Sequence, residues 1–274
     1  MAEERWVVTG PQTIDIDGVT SLKLGIVSGR FDIVTHEEDV TRIEISEVAG
    51  DPLDVSFTAG RLEIRHQEPG PQGWFKNVMN SVTRSHENRV ILSIAVPSGI
   101  QVDASTVAGD GLVSGTTAKT SLNTVSGDVV ADRTASHLDV NSVSGEAIVR
   151  DHHGSLSVNT VSGAVTATGR LNHVRLNNVS GEILLDVSPD TQDIGANTVS
   201  GDVTVRLPWE SGVDLTAKTG SGQVIIDSQR YMPVKNTVKT IAGPEEHLVV
   251  LRTNSVSGNL SVVHAPATTA EEAL

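Results

Sequence analysis

A five-residue word, Asn-x-Val-Ser-Gly or a close variant of it, recurs along this chain at a nearly constant interval. Four successive steps of 18 residues separate its first five glycines, and further copies follow at steps of 20, 21 and 36 residues. A unit of this size cannot bury its own apolar face, so the repeat predicts an array of units that stack on their neighbours. The glycines are Gly109, Gly127, Gly145, Gly163, Gly181, Gly201, Gly222 and Gly258.

Two alternating pairs of apolar residues flank each glycine. Val129 and Ala131 follow Gly127 at the second and fourth positions, and Leu138 and Val140 precede Gly145 by seven and five residues. Alternation with period two predicts short strands that bury one face. The valine of the word comes three residues after the preceding pair, which breaks the alternation. We therefore expect a corner at the asparagine, with the valine in the core.

Each polar residue of the word has an expected structural role. Asparagine tolerates left-handed backbone and its amide caps nearby backbone groups, and stacked copies would form an amide ladder with a rise of about 4.8 Å. Glycine supplies a positive φ or a close approach of two backbones. We interpret the serine as part of the turn rather than as a nucleophile.

These patterns predict an all-β protein, a solenoid-like stack (β-roll or β-helix) of 18-residue two-strand repeats with a short helical insertion. We expect one domain over residues 1–264, with an irregular β portion at 1–96, an insertion at 70–88 within it, and regular repeats at 97–264. Residues 229–243 lack the pattern and are interpreted as an excursion. Residues 265–274 are predicted to form a disordered tail.

The charge balance excludes some classes of partner. The chain has 20 Lys and Arg residues against 34 Asp and Glu, a formal charge of −14, which argues against nucleic acid and against broad binding to anionic lipid. It has no cysteine, so disulfides and thiolate sites are excluded. The sequence shows no secretory signal and no apolar run of about 20 residues, so we expect a cytoplasmic location.

The repeat resembles the bacterial "putative adhesin" or toast-rack family, a domain of unknown function built from repeated short strands. The matching words are Val96-Pro97-Ser98-Gly99, the Val-Ser-Gly series, and the run from Ser200 to Val205. The resemblance covers roughly residues 20 to 263. It implies a solenoid-like β stack, a link to cell-envelope stress systems in some relatives, and no catalytic residues.

Two kinds of side chain are candidate metal ligands. The residue after the glycine is often acidic, and such a row of carboxylates either binds divalent cations or forms a solvated face, which we favour. Histidines such as His137 and His173 lie two repeats apart and are interpreted as isolated surface residues. We therefore predict no metal site and no cofactor. The acidic residues are Asp110, Asp128, Glu146, Glu182 and Asp202.

One stretch departs from the β pattern. Residues 73–84 carry apolar side chains at the spacing of an amphipathic helix, with cations among them, in an otherwise acidic chain. The helix either covers an open end of the β stack or contacts a membrane surface or a protein partner. The residues of this candidate interaction surface are Trp74, Phe75, Lys76, Val78, Met79, Val82 and Arg84.

The sequence thus favours a non-catalytic β-repeat scaffold or protein-interaction module, with a link to the envelope stress response implied by the resemblance alone. Two alternatives remain open. One is a structural protein that polymerises through its stacked strands, and the other is a carbohydrate-binding or carbohydrate-cleaving β-helix. The protein partner and the oligomeric state are not specified by the residues.

Overall fold

The structure is a computed structural model that describes residues 3–66 and 88–266. Within these ranges the chain is all-β and contains no helix, so no helix there is long and apolar enough to cross a membrane. The helix predicted for residues 73–84 lies outside the described residues. The chain divides into two compact units, Met1–Ile148 and Val149–Leu274.

The strands of the first unit alternate between buried and exposed side chains, as the sequence pattern predicts. They are β1 (Glu3–Val8), β2 (Gln12–Asp17), β3 (Ser21–His36), β4 (Val40–Ala49), β5 (Leu53–Thr58), β6 (Arg61–His66), β7 (Arg89–Pro97), β8 (Gln101–Ser114), β9 (Thr120–Ser126), β10 (Val129–Asp132) and β11 (Ala135–Ser144); β12 (Ala147–Thr160) begins here and continues into the second unit.

The 18-residue period appears in this unit as parallel pairing in register. Asn141 of β11 lies beside Asn123 of β9, and Val129 of β10 lies beside Gly111 of β8. The irregular amino-terminal portion joins the same stack, because β3 runs parallel to β8 with Gly29 opposite Gly109. Beyond β3 the pairing becomes antiparallel, from β6 to β5 to β1 and from β7 to β4 to β2.

The second unit continues with ten further strands in the described part of the chain. They are β13 (Val165–Asn178), β14 (Ile183–Val187), β15 (Asp193–Thr198), β16 (Val203–Leu207), β17 (Gly212–Thr219), β18 (Val224–Ile226), β19 (Gln229–Tyr231), β20 (Thr237–Ala242), β21 (Leu248–Ser255) and β22 (Leu260–His264).

The repeats of the second unit are not stacked in chain order. The last repeat inserts between its two predecessors, since β21 pairs in parallel with both β15 and β17, and β22 pairs with both β16 and β18. The predicted excursion at residues 229–243 forms antiparallel strands, with β20 along β17 and β19 along β18. Among the described residues, β20 and β19 are therefore the edge strands next to β17 and β18.

The core consists of the alternating apolar pairs, and here the prediction is confirmed. Val129, Ala131, Leu138 and Val140 are at most 1% exposed, and so are their counterparts Ile183 and Leu185 in the second unit. The predicted corner is wrong, however. The strand runs straight through the asparagine, and Ser142 is the next buried residue after Val140. The valine of the word therefore points outward, and Val143 is 46% exposed.

Candidate interaction surfaces

The candidate surface predicted at Trp74, Phe75, Lys76, Val78, Met79, Val82 and Arg84 falls within residues 67–87, outside the described residues. Their role stays a prediction. Other surfaces emerge from the repeat itself and from the strands that end the second unit.

In three repeats of the second unit the turn is closed by the buried threonine three residues before the glycine. In the second unit the Oγ1 atoms of Thr160, Thr198 and Thr219 accept hydrogen bonds from the backbone N–H of the glycine three residues later, at 3.2, 2.8 and 2.8 Å. A buried N–H group left without a partner is costly, so this hydroxyl stabilises the turn. The sequence pattern did not indicate this role, because threonine is polar and was not expected on the buried face of a strand.

The asparagines form the amide ladder that the sequence predicts. In the second unit Asn177 donates to Oδ1 of Asn159 at 2.8 Å, Asn197 donates to Asn177 at 2.9 Å, and Asn254 donates to Asn197 at 2.7 Å. In the first unit Asn141 donates to Asn123 at 2.9 Å. These side chains lie on the outward face of the strands, so the ladder is a surface feature rather than a corner.

The serine of the word belongs to the turn, as predicted. Ser144 donates from Oγ to the carbonyl oxygen of Val125 in the preceding repeat at 3.2 Å, and Ser126 donates in the same way to Val107 at 3.1 Å. Each hydroxyl therefore ties the backbones of adjacent repeats together. It is engaged in structure rather than displayed as a nucleophile.

The outward valines of the second unit form an apolar line that we call the valine row. Backbone hydrogen bonds join the turns of neighbouring repeats, from Ser180 to Val161, Ser200 to Val179 and Ser257 to Val199. The valines are thus about 4.8 Å apart, the spacing of adjacent strands. The row ends where Gly220 takes the equivalent position beside Val256. Its members are Val161, Val179 and Val199, each 46% exposed, and Val256, which is 61% exposed.

Three aspartates that follow the glycine, Asp110, Asp128 and Asp202, accept hydrogen bonds from the backbone of a neighbouring repeat. Asp110 accepts a hydrogen bond from the N–H of Asp128 at 3.1 Å, and Asp202 accepts one from the N–H of Asn259 at 2.8 Å. In residues 3–66 and 88–266 no three His, Asp or Glu side chains are grouped closely enough to hold a metal ion. The hydrogen bonds of these aspartates therefore indicate that they stabilise the turns between repeats.

Several histidines pair with neighbouring carboxylates at the surface. His137 lies 3.0 Å from Asp139, and His173 forms a hydrogen bond with Asp193. His152 departs from the predicted surface position, since it is fully buried and its ring contacts the carbonyl oxygen of Ser155. Within residues 3–66 and 88–266 neither pair belongs to a group of side chains that could hold a metal ion.

Among the groups with shifted pKa values, His66 and Asp227 both involve a histidine ring. Burial lowers the pKa of His66, and the charge of Asp51 opposes this shift only in part. Partial burial acts to raise the pKa of Asp227, but the hydrogen bonds from the backbone and ring of His264, with the charge of that ring, lower it overall. Neither group lies on the valine row.

The strand β20 forms the second exposed surface, which we call the β20 edge and define as residues 232–246. β20 pairs with β17, and no other strand in the described part of the chain lies along its far side. Three large apolar side chains are exposed here: Met232 at 78%, Val234 at 75% and Ile241 at 54%. Sequence reasoning dismissed this segment as an excursion because it lacks the repeat.

A family model described as Toastrack DUF4097 matches residues 23–263, which is most of the chain. The match covers both compact units and every repeat of the Asn-x-Val-Ser-Gly word. A comparison with the curated proteins finds no match.

Solved structures with a similar fold include two bacterial proteins. A putative adhesin (BF0245) from Bacteroides fragilis NCTC 9343 has 13% identity and a TM-score of 0.50, and the match covers 92% of this chain and 96% of that one. A putative lipid binding protein from Parabacteroides distasonis ATCC 8503 has 17% identity, a TM-score of 0.44 and the same coverage. At these identities the first likeness concerns the fold alone, and the second carries no weight.

Proposed function

Because the chain belongs to the Toastrack DUF4097 family, we propose that it is a non-catalytic β-solenoid module that binds another protein. The observation that carries this proposal is the valine row. Four repeats present the same apolar side chain to solvent at one position, although no core packing requires it there. Contiguous exposed apolar residues on soluble proteins commonly mark a site of interaction.

The surroundings of the row suit a protein partner. From Val161 to Val256 the row spans three strand separations, or about 14 Å. The asparagine ladder crosses the same strands, with each asparagine two residues before the valine of its repeat. Asn177 and Asn197 are exposed beside the valine row. An apolar centre with polar groups at its border is the usual anatomy of a protein interface. A partner with a flat or extended surface would cover several repeats at once.

The natural absence of cysteine permits a sharp test. Val179→Cys and Val199→Cys, each labelled with a photoactivated crosslinker, are expected to give the same protein adduct in extracts of the native cells. The matched control is Leu184→Cys. Leu184 is also exposed, at 40%, but it lies within strand β14 and is not part of the valine row. Mass spectrometry identifies the adduct. Equal adducts from the row and the control, or none from the row, would overturn the proposal.

The biological setting is part of the same proposal and is supported by the family resemblance. We propose that the module acts in the cytoplasm, in service of the cell-envelope stress response. Fractionation of native cells, with immunoblotting before and after treatment with a cell-wall-active antibiotic, tests both statements. We expect the protein in the soluble fraction and a rise in its abundance after treatment; an unchanged level would remove the link to envelope stress.

A further inference from the structure

The β20 edge offers unpaired backbone to a further strand. β20 has six residues, Thr237–Ala242, and its partner β17 occupies only one of its two sides. On the other side Thr237 already exchanges two backbone hydrogen bonds with Val234, at 2.9 and 3.1 Å, so the backbone that forms a template for another strand begins after Thr237. A tight turn leads into β20, because Lys235 and Asn236 both have positive φ and Val234 pairs with Thr237 across them.

The side chains of this edge carry opposite charges at its two ends. Lys235 precedes β20 and Lys239 lies within it, and neither pairs with a carboxylate in the described part of the chain. Glu245 and Glu246 follow β20 and are exposed. An identical strand running in the opposite direction would bring the basic end of each copy to the acidic end of the other.

The alternation along β20 limits the register of such a pair. Lys239 and Ile241 are exposed, whereas Val238 is buried and Thr240 lies on the same face as Val238. Directly opposed residues of two antiparallel strands share one face of the sheet. Centring the pair on Lys239 opposes two lysines, which is unfavourable. Centring it on Thr240 instead places Lys239 opposite Ile241 in both halves and Val238 opposite Ala242.

We propose that two copies of this chain associate through β20, paired antiparallel about Thr240 to form a symmetric dimer. The contact is isologous, since each copy contributes the same residues and the pairing closes on itself. It joins the two edges and covers Ile241, and it brings the Lys235 end of each copy to the Glu245 end of the other. The proposal does not depend on which partner covers the valine row.

A single cysteine at the centre of the pair tests the register. Directly opposed residues have Cα atoms about 4.5–5.5 Å apart, within the range of a disulfide. Under mild oxidation Thr240→Cys is expected to form a dimer linked by a disulfide. The matched control is Thr237→Cys on the same strand, because the two substituted positions of the dimer would then lie about 20 Å apart. Equal crosslinking of the two variants, or none of Thr240→Cys, contradicts the register.

Light scattering after size exclusion tests the dimer itself. The unmodified chain is expected at twice its 28.8 kDa mass, and Ile241→Lys is expected to raise the dimer dissociation constant at least about tenfold, since it opposes two cations. Circular dichroism checks that the variant folds. The exposed side chain of Leu184 supplies the control Leu184→Lys, which should leave the dimer intact.

A charge exchange provides a second variant that retains the fold. Lys235→Glu is expected to weaken the dimer, and adding Glu245→Lys and Glu246→Lys to the same chain is expected to restore it. A chain that is monomeric at its highest soluble concentration overturns the proposal, and so does a mass that rises beyond two copies. A monomer would mean that β20 does not pair with itself and that any strand that binds it comes from another protein. A mass above two copies would mean that the chain assembles through other strand edges.

Discussion

The carboxylate of Asp128 accepts a hydrogen bond of 2.8 Å from the backbone N–H of Glu146, which occupies the equivalent position one repeat later. The bond crosses the turn between strands, where the backbone donor has no partner from strand pairing. Asp110 and Asp128 are related in the same way. The acidic residue after the glycine therefore satisfies a backbone group of the next repeat.

Removal of this carboxylate should destabilise the stack. We expect Asp128→Ala to lower the free energy of unfolding by about 1–2 kcal/mol, measured by urea denaturation. Asp128→Asn is the matched control and should lose less, because its amide oxygen still accepts the bond. Calcium should leave the melting temperature unchanged. A calcium-dependent rise that Asp128→Asn abolishes would instead show that the row binds metal.

The buried threonine of the turn is expected to contribute more than its polarity suggests. Thr198 is 8% exposed and accepts the hydrogen bond from Gly201. Thr198→Val preserves the shape but leaves that N–H unsatisfied, so we expect a loss of about 1–3 kcal/mol in the free energy of unfolding. Thr204→Val changes a partly exposed threonine of β16 in the same way and should be nearly neutral. Similar losses for the two variants would refute this role.

The outward position of the repeated valine can be tested with one substitution made at two sites. Val199 is 46% exposed, whereas Val205 is fully buried. Val199→Thr should change the free energy of unfolding by less than about 0.5 kcal/mol. Val205→Thr buries a hydroxyl group in the apolar core and should lower the free energy of unfolding by about 1–3 kcal/mol. Equal costs would return the valine of the word to the core.

The sequence predicted the strand faces and the ladder well, because both depend on periodicity alone. Alternation after the glycine identified Ile183 and Leu185 as core, and the repeated asparagine identified a ladder. The error at the valine has a physical cause. Thr198 lies on the buried face but is polar, so hydropathy assigned that face to Val199 and introduced a corner that does not exist.

The order of the repeats and the β20 edge were beyond the sequence pattern. Every repeat carries the same apolar alternation, so nothing local specifies that β21 inserts between β15 and β17. The β20 edge lies in a segment that lacks the repeat, so the repeat pattern contains no information about it. A usable signal was present in the Lys235-Asn236 pair, since two residues between short alternating runs can form a hairpin turn.

The candidate surface at residues 73–84 leads to a prediction from the sequence alone. If the segment contacts a membrane, Trp74→Glu/Phe75→Glu should reduce flotation with liposomes, because a charged side chain does not enter the interface. Trp209→Glu is a suitable control, since Trp209 is 53% exposed elsewhere in the chain. Equal flotation of the double variant and the unmodified chain, or none for either, would rule out membrane contact.

Stability should fall on acidification partly through His66. The imidazole is 6% exposed, its Nδ1 accepts a hydrogen bond from the N–H of Val27, and burial lowers its pKa. Below the unfolded value of about 6.5, the unfolded chain takes up a proton that the folded chain resists. This contribution is therefore fully present above about pH 6.5 and is lost as the pH falls towards the lowered pKa of the folded state, with a slope of at most about 1.4 kcal/mol per pH unit.

The variant His66→Gln isolates this contribution, because glutamine keeps an acceptor for Val27 but does not titrate. We expect its free energy of unfolding to fall less steeply than that of the unmodified chain between about pH 6.5 and 5. His153→Gln serves as the control, since the side chain of His153 is 50% exposed and lies 3.2 Å from the carboxylate of Asp151. Because the comparison is between slopes, a constant loss of stability in His66→Gln does not affect it. Parallel curves for the unmodified chain and His66→Gln would show that burial of His66 does not govern the acid sensitivity of the fold.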